Sequence, residues 1–262
     1  MLTSIEIQNF KSFSNLKNDS LEKVNIITGS TNSGKTNLLQ AVLIHLDSTQ
    51  KGLSKIPTFQ NDFNFKFNRL FHNHNSIEPI ILNSNLDSVI LKITAYEDYL
   101  KLDCNNEAVR VPYLYINQNN DSTSRNTISM VEKLRESVNE ILFVKFLQLI
   151  DRNIDYIETI DNVLSIVNKS GYSFNLESYG NKFKNYMRLI SALIETTDSV
   201  ILIDDIENFV DRKVCDFIIM GMLDLVQINN NQLFITTNDS NIVNTFKKYS
   251  KVDVGVNVIN MD

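Results

Sequence analysis

The sequence has no tryptophan and contains only two cysteines, three prolines and seven glycines. Cys104 and Cys215 show no metal-ligand spacing, so we expect two core thiols in a reducing compartment. With so little proline and glycine, no low-complexity linker dominates the chain. No apolar run approaches the roughly 18 residues of a membrane-spanning helix, and the first residues lack a secretion signal. These absences predict a soluble protein of the cytoplasm that does not bind membranes.

The size and net charge of the chain indicate which classes of protein it can belong to. The chain has 262 residues, of which 43% are hydrophobic and 21% are charged, so it can bury a core of its own. The formal net charge of −6 argues against a uniformly basic nucleic-acid binder, although it leaves room for a local basic patch.

One stretch, residues 29–36, matches the pattern G-x-x-x-x-G-K-[ST] of a phosphate-binding loop. It follows a short β-branched run, residues 24–28, that is typical of a buried strand. It precedes residues 36–44, which have the apolar spacing of a buried helix. This order disfavours the alternative of a glycine turn before an ordinary core helix. We expect nucleotide contacts from Gly29, Ser30, Thr31, Asn32, Ser33, Gly34, Lys35, Thr36 and Asn37.

The residue types in this loop suit a polyphosphate. Gly29 and Gly34 permit backbone angles that turn successive N–H groups toward an anion, and the following helix directs its positive end at the same place. Lys35 would reach the β- and γ-phosphates of ATP as a catalytic residue, and the Thr36 hydroxyl would bind Mg²⁺.

A second candidate for the same site lies at residues 199–205. The apolar run Val200–Ile203 is typical of a buried parallel strand, and Asp204 follows at its carboxyl end. Ligands of open α/β sheets bind beyond that end, so Asp204 would hold Mg²⁺ opposite Thr36. The alternative is a core strand that runs into an ordinary turn.

The rest of the chain predicts a single domain, residues 1–262. Residues 1–50 and 195–262 would form the nucleotide-binding core, about 76–117 an antiparallel β region, and about 126–195 a helical region. We expect a strand at 4–10 and a largely looped stretch at 48–75. Strand-like runs at 80–82, 88–95, 99–102 and 108–115 would form an antiparallel meander. A polar linker at 118–125, one long helix at 127–150 and a strand at 154–167 would follow. After residue 181 we expect helices separated by buried strands at 199–205 and 232–237, and a closing strand at 252–259.

The chain resembles the ABC/SMC-type ATPase heads, and most closely the stand-alone AAA family ATPases of bacteria and phages related to the OLD (overcoming lysogenization defect) proteins. The resemblance is carried by residues 5–13, 29–36, 177–181, 201–208 and 234–238. It implies an α/β P-loop NTPase of the ABC type. Such a fold has a mixed central sheet flanked by helices, an antiparallel β lobe and a helical signature lobe.

The resemblance also implies a mechanism. Two subunits would enclose two ATP molecules, with Ser178 and Gly180 as signature residues that approach the γ-phosphate held by the other subunit. Two positions depart from the family. Asp205 stands where a water-orienting glutamate is usual, and Asn238 where a histidine is usual. As catalytic residues they would support only slow hydrolysis, so ATP binding would serve mainly as a switch; Glu207 could compensate, although that position is more often structural in the family.

Three functions remain open at this stage. The first is an ATP-dependent homodimer, or higher homo-oligomer, that regulates a separate nuclease or toxin in phage–host conflict. The second is an SMC/RecF-like DNA-repair head, with DNA bound through Lys182, Lys184 and Arg188; the alternative for this cluster is a solvated helix face. The third is a catalytically weak nucleotide-binding scaffold.

Overall fold

The computed structural model describes residues 1–49, 67–86, 91–96, 100–104, 111–117, 125–135, 137, 139–160 and 163–262. The helices are α1 (Lys35–Leu46), α2 (Arg125–Arg135), α3 (Glu140–Gln148), α4 (Asn181–Glu195), α5 (Cys215–Ile228) and α6 (Ser240–Tyr249). The strands are β1 (Ile5–Phe10), β2 (Phe13–Asn18), β3 (Val24–Thr28), β4 (Ile80–Ser84), β5 (Leu91–Ala95), β6 (Leu100–Cys104), β7 (Tyr113–Ile116), β8 (Ile154–Ile160), β9 (Val163–Asn168), β10 (Ser173–Asn175), β11 (Val200–Ile203), β12 (Gln232–Thr237) and β13 (Val256–Asn260).

A five-stranded parallel sheet with the order β13-β3-β12-β11-β7 positions the candidate site. Every residue of β11 and β12 is buried, as expected for strands covered on both faces. Thr28 pairs with Thr237, and Ile203 pairs with Ile235. The carboxyl ends of β3, β11 and β12 therefore lie at the same edge, which brings the loop after β3 next to residues 204 and 205.

A second, antiparallel sheet has the order β2-β1-β4-β5-β6. Helix α1 packs between the two sheets, and every residue from Leu38 to Leu46 is buried. A helix that is apolar on most sides needs such enclosure. Its side chains join a core with residues of both sheets, among them Ile7, Leu82 and Leu202.

Helices α2–α4 and the antiparallel sheet β10-β9-β8 form the remaining lobe and pack on the other face of the parallel sheet. The Tyr186 hydroxyl of α4 donates to the Phe146 carbonyl oxygen of α3 at 2.8 Å. The Phe146 ring lies against Gly221 of α5, where an added Cβ would stand 2.4 Å from a ring carbon. A glycine at this position allows α3 and α5 to approach closely.

Three expectations were wrong in detail. Strand β7 does not continue the antiparallel meander, because it pairs in parallel with β11. The single helix expected at 127–150 is two helices, since the Ser137 hydroxyl donates to the Leu134 carbonyl oxygen and accepts the Asn139 N–H, which replaces helical bonding. The strand expected at 154–167 is the antiparallel pair β8 and β9.

The two cysteines also differ from the expectation, and some expected elements cannot be compared with the structure. Cys104 and Cys215 are free thiols, but both are half-buried rather than enclosed in the core. The expectations for residues 50–66, 88–90, 99, 108–110 and 118–124 lie outside the described residues. Among the helices that the structure describes, none is long and apolar enough to cross a membrane.

Candidate active site

The loop between β3 and α1 has the backbone geometry of an anion cradle. Gly34 has φ +101°, and an added Cβ there would stand 2.7 Å from the Ser12 hydroxyl. Gly29 has φ +149°, and its Cβ would stand 2.7 Å from the Ser33 hydroxyl. Glycine is therefore required at both ends of the loop on conformational and steric grounds. Helix α1 begins directly after Gly34 and points its positive end at the loop.

Lys35 lies across the inside of this loop. Its side chain is largely buried, with 8% of the residue exposed. The ammonium Nζ donates to the carbonyl oxygens of Gly29 at 2.9 Å and Ser30 at 2.7 Å. The ammonium thus lies against the loop itself, where it could contact a bound phosphate.

Asp204 connects the loop helix to the neighbouring strands. Its Oδ1 accepts hydrogen bonds from the Thr36 hydroxyl at 3.1 Å and the Thr236 hydroxyl at 2.7 Å. Its Oδ2 accepts the Tyr115 hydroxyl at 3.4 Å. Burial is the main cause that raises the pKa of Tyr115, and the negative charge of Asp204 adds to it. The phenol therefore stays protonated and can donate. The two residues expected to bind a metal therefore lie side by side.

A carboxylate and a hydroxyl are the hard oxygen ligands that Mg²⁺ prefers, so Thr36 and Asp204 fit that ion. Thr236 and Tyr115 orient the carboxylate, and neither was expected at this site from the sequence. Thr236 could have been inferred from its position on β12 beside the end of β11. Tyr115 could not, because β7 was expected in a different sheet.

A group of acidic and amide side chains faces the loop. Asp205 has left-handed backbone angles, with φ +54°, and its N–H donates to the Thr236 hydroxyl at 2.8 Å. Burial, and then the charges of Asp204 and Glu207, raise the pKa of the Asp205 carboxyl, while Lys35 acts in the opposite direction. Glu207 accepts the backbone N–H of Asn238 at 3.2 Å through Oε1.

These groups enclose a cleft of about 690 Å³, which is in the usual range for a small-molecule site. It is lined by Thr31, Asn32, Gly34, Lys35, Thr36, Asn37, Asp205, Glu207, Asn208 and Asn238. Gly29, Ser30 and Ser33 belong to the loop but do not line the cleft. The structure therefore brings most of the residues expected at the loop together with Asp205 and Asn238.

Asp262 is a further contact that the sequence did not indicate. Its Oδ1 accepts the backbone N–H of Ser30 at 2.7 Å. This hydrogen bond, aided by the charge of Lys35, lowers the pKa of the Asp262 carboxyl. A carboxylate therefore already lies against the start of the phosphate-binding loop.

A second, smaller cleft of about 430 Å³ shares Asn37 with the first. Lys11, Arg69 and His74 are among its lining residues, together with Ser12, Leu70, Phe71 and Asn73. Burial lowers the pKa of Lys11 to about 8, and its ammonium contacts the Gln40 side-chain oxygen. No residues beyond the loop could be assigned to a nucleoside from the sequence, and this cleft was not expected.

The expected signature residues lie apart from the cleft. Ser178 and Gly180 are exposed just before α4, and neither lines the cleft of its own chain. The Ser178 hydroxyl donates to the Asn175 carbonyl oxygen at 2.6 Å. A Cβ added at Gly180 would meet no atom within 4 Å. Their role at a partner's nucleotide stays a prediction.

The proposed basic cluster on α4 is not a single exposed face. Arg188 is only 6% exposed; its guanidinium donates to the Asn117 carbonyl oxygen and lies 5.5 Å from the centre of the Phe209 ring. Lys184 pairs with Glu177 at 3.0 Å. Inclusion of Arg188 in a DNA-binding surface was therefore wrong, because its charge is used inside the fold.

Sequence comparisons with known proteins give one short match. No protein-family model matches the chain. A curated Helicobacter pylori protein called "ATP/GTP phosphatase" is 55% identical over 42 residues, which are 16% of this chain and 11% of that protein, so the match spans about a tenth of the relative's length.

Three solved structures cover 93% of the chain. An SMC head bound to the C-winged helix domain of ScpA has a TM-score of 0.58, 14% identity and 92% of its own chain covered. The SMC head domain from Thermotoga maritima has a TM-score of 0.53, 13% identity and 91% coverage. An SMC head with an extended coiled coil, bound to the C-terminal domain of ScpA derived from Pyrococcus furiosus, has a TM-score of 0.58, 10% identity and 91% coverage. The chain therefore has the ABC-type ATPase fold of SMC heads.

Proposed function

We propose that this chain binds ATP with Mg²⁺ in the 690 Å³ cleft and hydrolyses it. The observation that carries the proposal is the approach of Thr36 Oγ1 and Asp204 Oδ1 to 3.1 Å beside the lysine-containing loop. A metal-binding pair and an anion cradle are together what a magnesium nucleotide requires. The short match to a protein called "ATP/GTP phosphatase" supports the same activity.

Different residues of the chain would bind the phosphates, bind the metal and orient its carboxylate ligand. The backbone N–H groups of the loop and the start of α1 hold the phosphates, and Lys35 leaves its carbonyl partners to contact them. Thr36 and Asp204 would hold Mg²⁺, which when bound neutralises phosphate charge. Thr236 and Tyr115 keep the Asp204 carboxylate in place.

Hydrolysis is expected to be slow. Asp205 is one methylene shorter than the glutamate of similar heads, and Asn238 does not exchange a proton near neutral pH. A displacement of about 1 Å in a catalytic group can lower a rate about a hundredfold. ATP binding would then act mainly as a conformational switch, with hydrolysis resetting it.

The exposed position of Ser178 and Gly180 supports an ATP-dependent homodimer. Both residues lie just before the 15-residue helix α4, where a hydroxyl and a helix end could meet a partner's γ-phosphate. The resemblance to OLD-related ATPases suggests that the dimer regulates a separate nuclease or toxin in phage–host conflict.

An SMC/RecF-like DNA-repair head is the second candidate, and the SMC-head fold favours it. Against it, the helices described between residues 47 and 178 are α2 and α3, of 11 and 9 residues, which are too short for a coiled-coil arm. The buried Arg188 also removes one of the proposed DNA contacts. A weakly catalytic scaffold is the third candidate, and an ATP-dependent dimer would count against it.

Size-exclusion chromatography with light scattering tests the proposal, with and without ATP–Mg²⁺. We expect wild type to form a dimer with ATP, and Lys35→Ala and Ser178→Ala to stay monomeric. Ser250→Ala is the matched control, because its exposed hydroxyl also donates to the carbonyl three residues earlier, at 2.9 Å. Lys35→Ala should also lose binding of a fluorescent ATP. Wild type that binds no ATP would refute the proposal. Binding of ATP without a dimer would refute only the ATP-dependent homodimer.

A further inference from the structure

The second cleft, of about 430 Å³, differs from the first in charge. Asp205 and Glu207 line the first cleft, whereas none of the described residues that line the second is acidic. Three basic side chains line it instead, those of Lys11, Arg69 and His74. In a protein with a formal net charge of −6, a cleft with only basic and neutral side chains is a local site of attraction for anions.

The charge of Lys11 is not balanced by the fold. Its ammonium contacts the Gln40 side-chain oxygen and lies 5.7 Å from the centre of the Phe10 ring, and both of these groups are neutral. Among the residues that the structure describes, this ammonium has no carboxylate partner. Burial lowers the pKa of Lys11 to about 8, and no negative charge offsets the lost hydration. An anion in the cleft would balance the ammonium.

The backbone of Lys11 is held by another segment that lines the cleft. The Lys11 N–H donates to the Leu70 carbonyl oxygen at 2.8 Å, and His72 Nδ1 donates to the Lys11 carbonyl oxygen at 3.0 Å. Leu70 and Phe71 are both buried, so this segment is anchored in the core. The lysine side chain therefore starts from a backbone that is fixed through both of its polar groups.

The second cleft adjoins the phosphate-binding loop. Asn37 lines both clefts, and its side-chain Nδ2 donates to the Ser12 hydroxyl at 3.1 Å. The same hydroxyl lies 2.7 Å from the position that a Cβ would take at Gly34. In a phosphate-binding loop the lysine reaches the β- and γ-phosphates, and the backbone amides hold the α- and β-phosphates. With the γ-phosphate toward Asp205, the sugar would lie on the Asn37 side.

We propose that the second cleft receives the sugar end of the nucleotide and that Lys11 binds a further phosphate attached to the ribose there. The preferred ligand is then a nucleoside 5′-triphosphate with a phosphate on its sugar, present as a small nucleotide or as the 5′-triphosphate end of a nucleic-acid chain. The inference rests on the proposed ATP binding and narrows the class of nucleotide that the same site prefers. A sugar and a base alone are uncharged, and hydrogen bonds between charged groups are about twice as strong as neutral ones.

Isothermal titration calorimetry with the full chain and Mg²⁺ tests the inference. The probes are ATP, adenosine 3′-phosphate 5′-triphosphate and a 5′-triphosphorylated adenosine dinucleotide. We expect wild type to bind the 3′-phosphorylated nucleotide about 10–100-fold more tightly than ATP, the usual gain from a hydrogen bond to a charged group. An equal gain with the dinucleotide supports the inference with a nucleic-acid end as ligand, and a gain with the mononucleotide alone supports it with a small nucleotide as ligand.

The ratio of the two affinities within each variant separates recognition of the phosphate from a structural role of the lysine. Lys11→Met removes the charge and keeps most of the side-chain length, so the preference should fall to about threefold or less. Lys11→Arg keeps the charge and should keep the preference. Lys17→Met is the matched control, because it removes the charge of an exposed lysine on β2 outside the cleft and should leave the ratio as in wild type.

The contrary outcomes can be told apart. Equal affinity of wild type for ATP and the 3′-phosphorylated nucleotide would overturn the inference and leave ATP binding intact. This comparison needs no variant, so it holds even if Lys11→Met does not fold. A preference that persists in folded Lys11→Met would also overturn the inference, because the phosphate would then be bound elsewhere. Wild type that binds none of the three probes would instead remove the proposed function itself.

Discussion

Replacement of Thr236 by valine tests how the acidic edge of the cleft is held together. Thr236 is fully buried, and its hydroxyl donates to Asp204 Oδ1 at 2.7 Å and accepts the Asp205 N–H at 2.8 Å. Valine keeps the shape of the side chain but removes both hydrogen bonds. The Asp205 N–H then loses its acceptor, and Asp204 retains Thr36 and Tyr115.

The expected magnitude follows from these two contacts. A hydrogen bond to a charged group contributes about 1.5–3 kcal/mol and a neutral one about 0.5–1.5 kcal/mol. The added methyl group of valine offsets part of the loss, at about 0.8 kcal/mol. We therefore expect the free energy of unfolding to fall by about 2–3 kcal/mol. Loss of a group that orients a metal ligand should also weaken Mg²⁺-dependent ATP binding about 10–100-fold.

Urea unfolding and Mg²⁺ titration of fluorescent-ATP binding measure the two effects. Thr236→Ser is the matched control, because it keeps the hydroxyl and loses only a buried methyl group, worth about 0.8 kcal/mol. Serine should retain Mg²⁺-dependent binding close to wild type. If valine is within about 0.5 kcal/mol of wild type and binds Mg–ATP equally well, the hydroxyl does not support the Asp204 carboxylate and the reasoning is wrong.

Three further predictions concern other positions. Burial lowers the pKa of His45 to about 4, below its unfolded value near 6.5, so its contribution is complete above pH 6.5 and is lost as the pH falls toward 4. The loss should be about 3 kcal/mol in urea unfolding and absent in His45→Gln; equal pH slopes in both proteins would contradict this. Gly34→Ala should lose ATP binding and about 1–2 kcal/mol of stability, since φ is +101° and the Cβ would meet a hydroxyl at 2.7 Å; unchanged binding would show that the loop adjusts freely. Asp262→Asn should raise ATP affinity roughly two- to fivefold at low ionic strength, because a negative charge leaves the loop near Ser30, and the gain should shrink in salt. An affinity that is unchanged at low salt would show that this carboxylate does not compete with phosphate.

The parts of the site that follow from the sequence are those encoded by neighbouring residues. The loop pattern needs only residues 29–36 with a strand before and a helix after, and all three are contiguous. Asp204 could be inferred because an apolar strand ends beside it, and parallel strands bring their carboxyl ends to one edge. Both inferences depend on local periodicity and on one general property of parallel sheets.

The parts that did not follow depend on contacts between distant segments. Strand β7 is four residues long, and nothing in Tyr113–Ile116 selects β11 over the preceding antiparallel strands as its partner. Tyr115 therefore could not be connected to Asp204. The break between α2 and α3 depends on the Ser137 hydroxyl bonding to nearby backbone, which competes with helix formation by only about 1 kcal/mol. The burial of Arg188 likewise depends on Asn117 and Phe209, which lie far away in the sequence.

The buried Arg188 has a mechanical consequence for the whole molecule. The Asp204 N–H donates to the Ile116 carbonyl oxygen at 2.9 Å, and Arg188 donates to the carbonyl oxygen of the very next residue, Asn117. Two consecutive carbonyl groups thus tether the residue that follows β11 on one side and helix α4 on the other. If a second molecule docks at the exposed beginning of α4, as proposed, a tilt of that helix would pull on the backbone that anchors Asp204. A movement of α4 would thereby be transmitted to Asp204 through only two residues, Ile116 and Asn117.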